Sequence, residues 1–456
     1  MDRFGRSWHG GLLPRYRSGH RRAADRGHIP LRGPDSILTT AAAVSSWEHA
    51  LHYASENWDS GVPLSKLLKP AITLAQEGHA VSGSHANWIA FRRSETSDWP
   101  GFLELFAPHG IAPHAGSIFR QPKLAKSLAA IAHDGAEEFY TGALAHRIVD
   151  SLRAQGAKIT IEDLASTQTR TVKPIRLDYR DATLLAPPPP TQGITTLQIM
   201  GVLRHFDLKT IGEDSAEYLH LVVEAVKCAF LDRDELADPH FSDIDYAALL
   251  EHDHLSSLAL GINDTARLWP ETYRSADTVY SGVVDGAGRC ASVLHSIYFD
   301  WGSGVIAGDT GILWQNRGAA FHSDSNHPNS FKTGKLPFYT LNPGLALKQG
   351  KPWLLYGTQG ADGQPQTLAM LLTRLIDYAR SPSGAVAAGR FLLGRTFSDS
   401  NDTLKLEEQF TQEVMDDILR RGHEVALLAP LSPLAGQAGV IKIENGYLRG
   451  AHDPRV

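Results

Sequence analysis

The chain has 456 residues, enough for two or three domains or for one large α/β unit. Hydrophobic content of 42% and charged content of 21% are ordinary for a soluble globular protein. The net charge of -6 argues against a dedicated nucleic-acid binder, and there is no apolar run of the roughly 18 residues a membrane span needs.

Residues 1–28 are rich in Arg, His and Gly, lack the apolar stretch of a secretory signal, and are expected to be disordered. From about residue 39 to 165 the pattern is mainly helical. Leu64–Gly78 and Leu124–His133 carry apolar residues at three- and four-residue spacing. Ala143–Gln155 is similar and ends at Gly156, a natural helix stop. Thr160 followed three residues later by Asp163 predicts a capping box. Tyr179–Ala186 reads as a short strand, halted by the prolines of Pro187–Pro190. Thr195–Phe206 and Ala216–Leu231 return to helix.

After residue 255 the texture changes. Tyr280–Asp285, Ala291–Tyr298 and Gly311–Asn316 are β-formers between glycine turns, and Leu345–Leu347 and Trp353–Tyr356 add more strand. Gln366–Ala379 and Leu404–Gly422 are predicted helices. Val425–Leu428, Gly439–Glu444 and Tyr447–Gly450 close the chain as strands. Helices, strands, helices, strands is an order that suits layered α+β packing better than alternating βαβ units.

Few chemistries survive inspection. Two cysteines, Cys228 and Cys290, exclude a disulfide framework and a cysteine-rich zinc site, and two buried thiols are the expected state. There is no HExxH, the 21 histidines are scattered, and no GxxxxGK[ST] loop is present. Neither a metal nor another cofactor is expected. Trp301-Gly-Ser-Gly304 lacks the spacing of a serine-hydrolase elbow.

The informative block is Asp277-Thr-Val-Tyr-Ser-Gly-Val-Val-Asp285. Taken alone, Thr278 would be an ordinary β-former. It is followed by Ser296-Ile-Tyr-Phe-Asp-Trp-Gly-Ser-Gly304, Gly308-Asp-Thr-Gly311, Gln315-Asn-Arg-Gly318, Leu336-Pro-Phe-Tyr-Thr-Leu-Asn-Pro-Gly344 and Tyr356-Gly-Thr-Gln-Gly-Ala-Asp-Gly-Gln-Pro-Gln366. Upstream stand Glu137-Glu-Phe-Tyr-Thr-Gly142, Ala186-Pro-Pro-Pro-Pro190, Ala229-Phe-Leu-Asp-Arg-Asp234 and Asp238-Pro-His-Phe241, with Asp453-Pro-Arg455 at the end.

In this order the motifs resemble the γ-glutamyltransferase family of N-terminal-nucleophile hydrolases, from roughly residue 30 onward. The closer likeness is to its amidohydrolase-like branch, which includes oxamate amidohydrolase. The resemblance implies a four-layer αββα sandwich lacking part of its N-terminal region. It also implies self-cleavage between Asp277 and Thr278. The heavy part, 29–277, and the light part, 278–456, would stay together as a heterodimer of two self-derived chains.

Cleavage gives Thr278 a free α-amine whose ordinary pKa lies near neutrality, so one residue supplies both nucleophile and base. By resemblance Gly360 and Ala361 form the oxyanion hole, since backbone N–H groups in a glycine turn serve well there. The family has two glycines at this point, and a positive φ would cost Ala361 stability. Ser296 matches the residue that supports the nucleophile, though a lone strand serine is more often a satisfied hydroxyl. Tyr339 and Thr340 match substrate-side positions where the family commonly has a serine pair.

Three departures bear on the substrate. Ala320 replaces the acid that binds a γ-glutamyl α-amine, Arg317 replaces a glutamine, and Tyr298 replaces a donor-side asparagine. Without the acid, a glutamyl ammonium loses its partner. Arg317 can instead clamp a carboxylate, or serve as a structural ion pair; both readings stand. The reaction expected is hydrolysis, or transfer, of a small-molecule amide. Its acyl group would be γ-glutamyl as in glutathione, or that of a small acid amide such as oxamate or a glutaryl-type amide. An uncleaved, inactive binding protein is the reading from another class. No nucleic-acid or membrane partner is expected. The cytoplasm is the expected location, and the periplasm if a signal has been lost.

Overall fold

The computed structural model describes residues 7–10, 29–96, 98–99, 101–269, 277–394 and 403–455. The expectation for residues 1–28 lies outside them, except that Ser7–Gly10 is a short strand. The chain divides into two compact units. One comprises Val172–Ser296 and Phe338–Val456 with the first seven residues; the other comprises Trp8–Thr171 and Ile297–Pro337.

The first unit carries the six-stranded sheet. Its main elements in chain order are β1 (Ile175–Tyr179), β2 (Ala182–Ala186), α1 (Gly193–Leu203), α2 (Ala216–Arg233), β3 (Asp277–Val284), β4 (Cys290–Tyr298), β5 (Gly344–Lys348), β6 (Lys351–Thr358), α3 (Gln364–Ile376), β7 (Phe391–Leu393), β8 (Leu404–Glu407), α4 (Gln412–Arg420), β9 (Val425–Leu428), β10 (Ala438–Glu444) and β11 (Tyr447–His452), with shorter helices at His252–Leu260 and Pro382–Ala387. Six of the strands form an antiparallel sheet in the order β11-β10-β6-β5-β2-β1. One core cluster joins the sheet to α1, α2 and α3, with Leu184, Leu354 and Tyr356 meeting Leu197, Val222 and Leu368. All eleven residues of α1 are buried, which is why its apolar residues are spread all round rather than on one stripe, with Thr195, Thr196 and Gln198 buried among them.

β3 and β4 form a two-stranded hairpin of their own. Its even-numbered side chains face the six-stranded sheet. The Tyr280 ring lies where a Cβ at Gly357 or Gly439 would be, so two glycines in neighbouring strands make its seat. Ser292 Oγ donates to Gly344 O at 2.9 Å, tying β4 to β5. Helices, six-stranded sheet and hairpin thus stack in the α–β–β order of the expected sandwich. The odd-numbered side chains Val279, Val283 and Val293 on the hairpin's other face are exposed.

In the second unit, the helices Leu64–Glu77, Pro122–Asp134 and Ala143–Ala154 match their predicted spans to within two residues. Thr160 Oγ1 accepts from Asp163 N, and Thr160 N donates to Asp163 Oδ2 at 2.9 Å, the expected capping box.

Four expectations are corrected. Tyr179–Ala186 is a hairpin, β1 and β2, turning at Arg180 with φ 54. Gly311–Asn316 contains no strand, only the isolated bridge Ile306–Leu313. The predicted helix Leu404–Gly422 begins as strand β8, and only Gln412–Arg420 is helical. Cys228 is buried, whereas Cys290 is partly exposed, and both are free thiols.

Candidate active site

Thr278 lies on the inward face of β3 and is 6% exposed. Its place along the sandwich follows from its neighbours. Tyr280 sits over Gly357 and Gly439, and Gly282 faces Ile441. The steps from 282 to 280 to 278 therefore run from 441 to 439 on β10 toward 437, the residue before that strand. Gln359 N donates to Gln437 O at 3.1 Å. Thr278 thus points to the end of the sheet where β6 finishes and the Gly360–Ala361 turn begins. The hairpin closes with Asp285 N donating to Arg289 O at 3.0 Å. Carried along both strands without a bulge, that register sets Ser296 opposite Thr278.

Gly360 has φ 120 and Ala361 has φ 49. The left-handed alanine is the strained conformation that its presence in a glycine position raised. Ala361 is fully buried. Neither the Gly360 nor the Ala361 N–H donates a hydrogen bond among the described residues, although Gly363 N closes the turn onto Gly360 O at 2.7 Å. Adjacent backbone donors at a buried turn, left unused by the protein, suit an oxygen that acquires charge during reaction.

Tyr339 and Thr340 are brought to the same turn. Tyr339 N donates to Pro190 O at 2.9 Å and Gln192 N to Tyr339 O at 3.0 Å. The Gln192 side chain then bridges, its Nε2 donating to Thr340 O at 2.6 Å and to Ala361 O at 2.8 Å. Arg233 Nε donates to Gln192 Oε1 at 3.2 Å, and Arg233 Nη2 donates to Asp362 Oδ1. Gln192, Arg233 and Asp362 were not singled out from sequence. Arg233 stands inside the Ala229–Asp234 motif, but only its tertiary partners reveal its role.

The remaining substrate-side candidates belong to the second unit. The Arg317 guanidinium lies 4.6 Å over the Tyr298 ring, and both side chains are buried. Tyr298 has φ 81. Arg317 N donates to Gln315 Oε1, and Gln315 Nε2 donates to Thr39 Oγ1 at 2.6 Å, so the Gln-Asn-Arg-Gly motif is anchored through its glutamine. Ala320 is fully buried, and its carbonyl accepts from Asn329 Nδ2 at 2.7 Å.

One cluster has metal-ligand spacing: ligand atoms of His220, Glu224 and His423 lie within 4.8 Å of one another. A cation already stands there. Lys227 Nζ donates to Glu224 Oε1 at 2.8 Å, and Arg267 N donates to Glu224 Oε2 at 3.1 Å. The His220 Nδ1–His423 Nε2 separation is 2.8 Å, and His220 Nε2 donates to Asn263 O at 2.7 Å. Neutral imidazoles satisfy both contacts, with His220 accepting at Nδ1. Burial, aided by Lys227, lowers His423 to about 3. This is a polar clasp joining α2 to residues 263–267 rather than a vacant ligand set.

A family model described as Gamma-glutamyltranspeptidase matches residues 17–456. An oxamate amidohydrolase proenzyme of Klebsiella pneumoniae is 41% identical over 435 residues, 95% of this chain and 82% of that protein. A glutathione hydrolase-like YwrD proenzyme of Bacillus subtilis is 39% identical over 94% of this chain and 81% of its own length. A glutathione hydrolase proenzyme of Escherichia coli is 30% identical over 86% and 70%. The crystal structure of a cephalosporin acylase from Bacillus halodurans aligns with a TM-score of 0.87 at 28% identity, over 98% of this chain and 83% of that one. The α+β fold expected of an N-terminal-nucleophile hydrolase is therefore shared with a solved acylase.

Proposed function

Because this chain belongs to the gamma-glutamyltranspeptidase family and is an amidohydrolase of it, we propose that it cuts itself between Asp277 and Thr278 and then hydrolyses a small acid amide of the oxamate type. Thr278 attacks the amide carbonyl while its new α-amine takes the hydroxyl proton. The Gly360 and Ala361 N–H groups receive the oxyanion, the amine leaves, and water releases the acyl-Thr278 ester. Ser296 supports the nucleophile from β4. Each compact unit contains residues from both sides of residue 277, which is a reason for the two pieces to stay associated.

The observation that carries the substrate class is Ala320. It is fully buried where a γ-glutamyl enzyme of this family needs an acid for the substrate ammonium, so such a cation would enter without a partner. Arg317, on the same short 3-10 turn and backed by Tyr298, suits a carboxylate instead. The relative named for oxamate, at 41% identity, points the same way. Glutathione is the second reading, favoured by the match to the Escherichia coli glutathione hydrolase.

Intact mass of the purified protein beside Thr278→Ala tests the mechanism. Two chains from the parent, the lighter starting at Thr278, and one from the variant are expected. A parent that stays whole while folded sinks the mechanism and leaves a non-catalytic relative. Ammonia release from oxamate, compared with hydrolysis of glutathione and a γ-glutamyl anilide, decides the substrate.

A further inference from the structure

Gln192 is fully buried and has no acid–base chemistry of its own, yet it touches both halves of the candidate site. Both of its N–H donors are committed to backbone carbonyls, those of Thr340 and Ala361. Its carbonyl oxygen accepts from Arg233. Arg233 is in turn fixed by the rings of Phe230 and Phe338, 4.8 and 4.7 Å from its guanidinium carbon, and by Asp362.

Two consequences follow. First, Ala361 at φ 49 persists only if its surroundings over-determine it. Gln192 holds its carbonyl, and Arg233 holds the next side chain. The peptide plane after Ala361 is pinned from both ends, and the N–H pair before it inherits that orientation. Second, a bare Asp362 carboxylate adjoining the two donors would repel a developing oxyanion, and Arg233 cancels that charge where the low surrounding polarity would otherwise magnify it.

We propose that Gln192 and Arg233 are positioning residues for acyl transfer. They set the Gly360–Ala361 donors for the oxyanion and neutralise Asp362, so they act on the transition state rather than on substrate binding. This rests on the reading of Thr278 and the turn given above.

The test is Gln192→Met, which keeps length and loses every hydrogen bond, with Arg233→Lys as the second variant, which keeps the charge and loses the fork. Both are made in the full chain, with oxamate as the probe, or the γ-glutamyl anilide if the parent leaves oxamate intact. In folded protein, kcat falls at least about tenfold with KM within about threefold, a smaller loss than deletion of a donor outright. An unchanged kcat, or a rise in KM at constant kcat, overturns the proposal. So does failure of both variants to fold, which would make the network purely structural. Thr278→Ala run alongside separates the two claims. If it is inert and uncut while Gln192→Met keeps full kcat, only the positioning role falls; if it still cleaves itself, the function proposed above falls.

Discussion

Replacement of Ala361 probes the turn most directly, because its energetics can be worked from the backbone. At φ 49 an alanine carries about 1–2 kcal/mol of strain. Ala361→Gly releases that. It also deletes a fully buried methyl worth about 0.8 kcal/mol, and it loosens the unfolded chain by about 0.4–1 kcal/mol. The three contributions nearly cancel, so the expected change is within about 1 kcal/mol of zero. Ala361→Val adds a β-branch at positive φ, where such residues are outliers. It also inserts two methyl groups into a fully buried position, costing about 1–3 kcal/mol from overpacking alone. Urea unfolding in a Thr278→Ala background keeps one chain to follow, and midpoints are compared at constant slope. The reasoning is refuted if valine costs less than about 1 kcal/mol, or if glycine stabilises by more than about 2 kcal/mol.

Three further outcomes are expected. His423 is lowered to about 3, so the unfolded chain binds more protons than the folded one below the ordinary histidine value. The contribution of this one group is constant above about pH 6.5 and falls as pH drops toward 3, by about 1.4 kcal/mol per unit; His423→Gln should make that part of a stability–pH profile less steep. Arg455→Met strands Glu407, to which the fully buried arginine donates at 2.7 Å, while Asp453 keeps Arg390, and should cost about 3–5 kcal/mol in unfolding measurements. Ala320→Asp should raise the ratio of γ-glutamyl anilide to oxamate hydrolysis at least about tenfold, a paired charge being worth that much in a buried site; an unchanged ratio removes position 320 from substrate selection.

In the sequence the candidate site is most legible where short motifs confine the choice of residue. Thr278, Ser296 and the Gly360–Ala361 pair sit in short motifs, and the structure sends Thr278 toward that turn. The capping box at Thr160 was equally plain, since it needs only two residues three apart. Other features were invisible for definite reasons. The β1–β2 turn uses Arg180 in a left-handed conformation, a place where only glycine or asparagine would have signalled. Leu404-Lys-Leu-Glu407 is buried on both faces, so a strand there has no alternation to distinguish it from a helix start. Gln192 follows a proline run that reads as a turn, and its importance comes from partners 148 and 169 residues away.

The clasp at α2 has a further bearing on the proposed cut. Lys227 Nζ donates to Arg267 O at 2.6 Å, and Glu224 receives the Arg267 N–H, so the chain is moored at 267. Asp277 lies ten residues beyond, and ten residues of any chain reach about 35 Å at most. Were the chain cut there, the new carboxyl end would stay within that radius of the mooring, whatever its conformation. Deleting residues between the mooring and the cut would narrow that radius and hold the severed end nearer the nucleophile, turning a cleavage product into a competitor for its own active site.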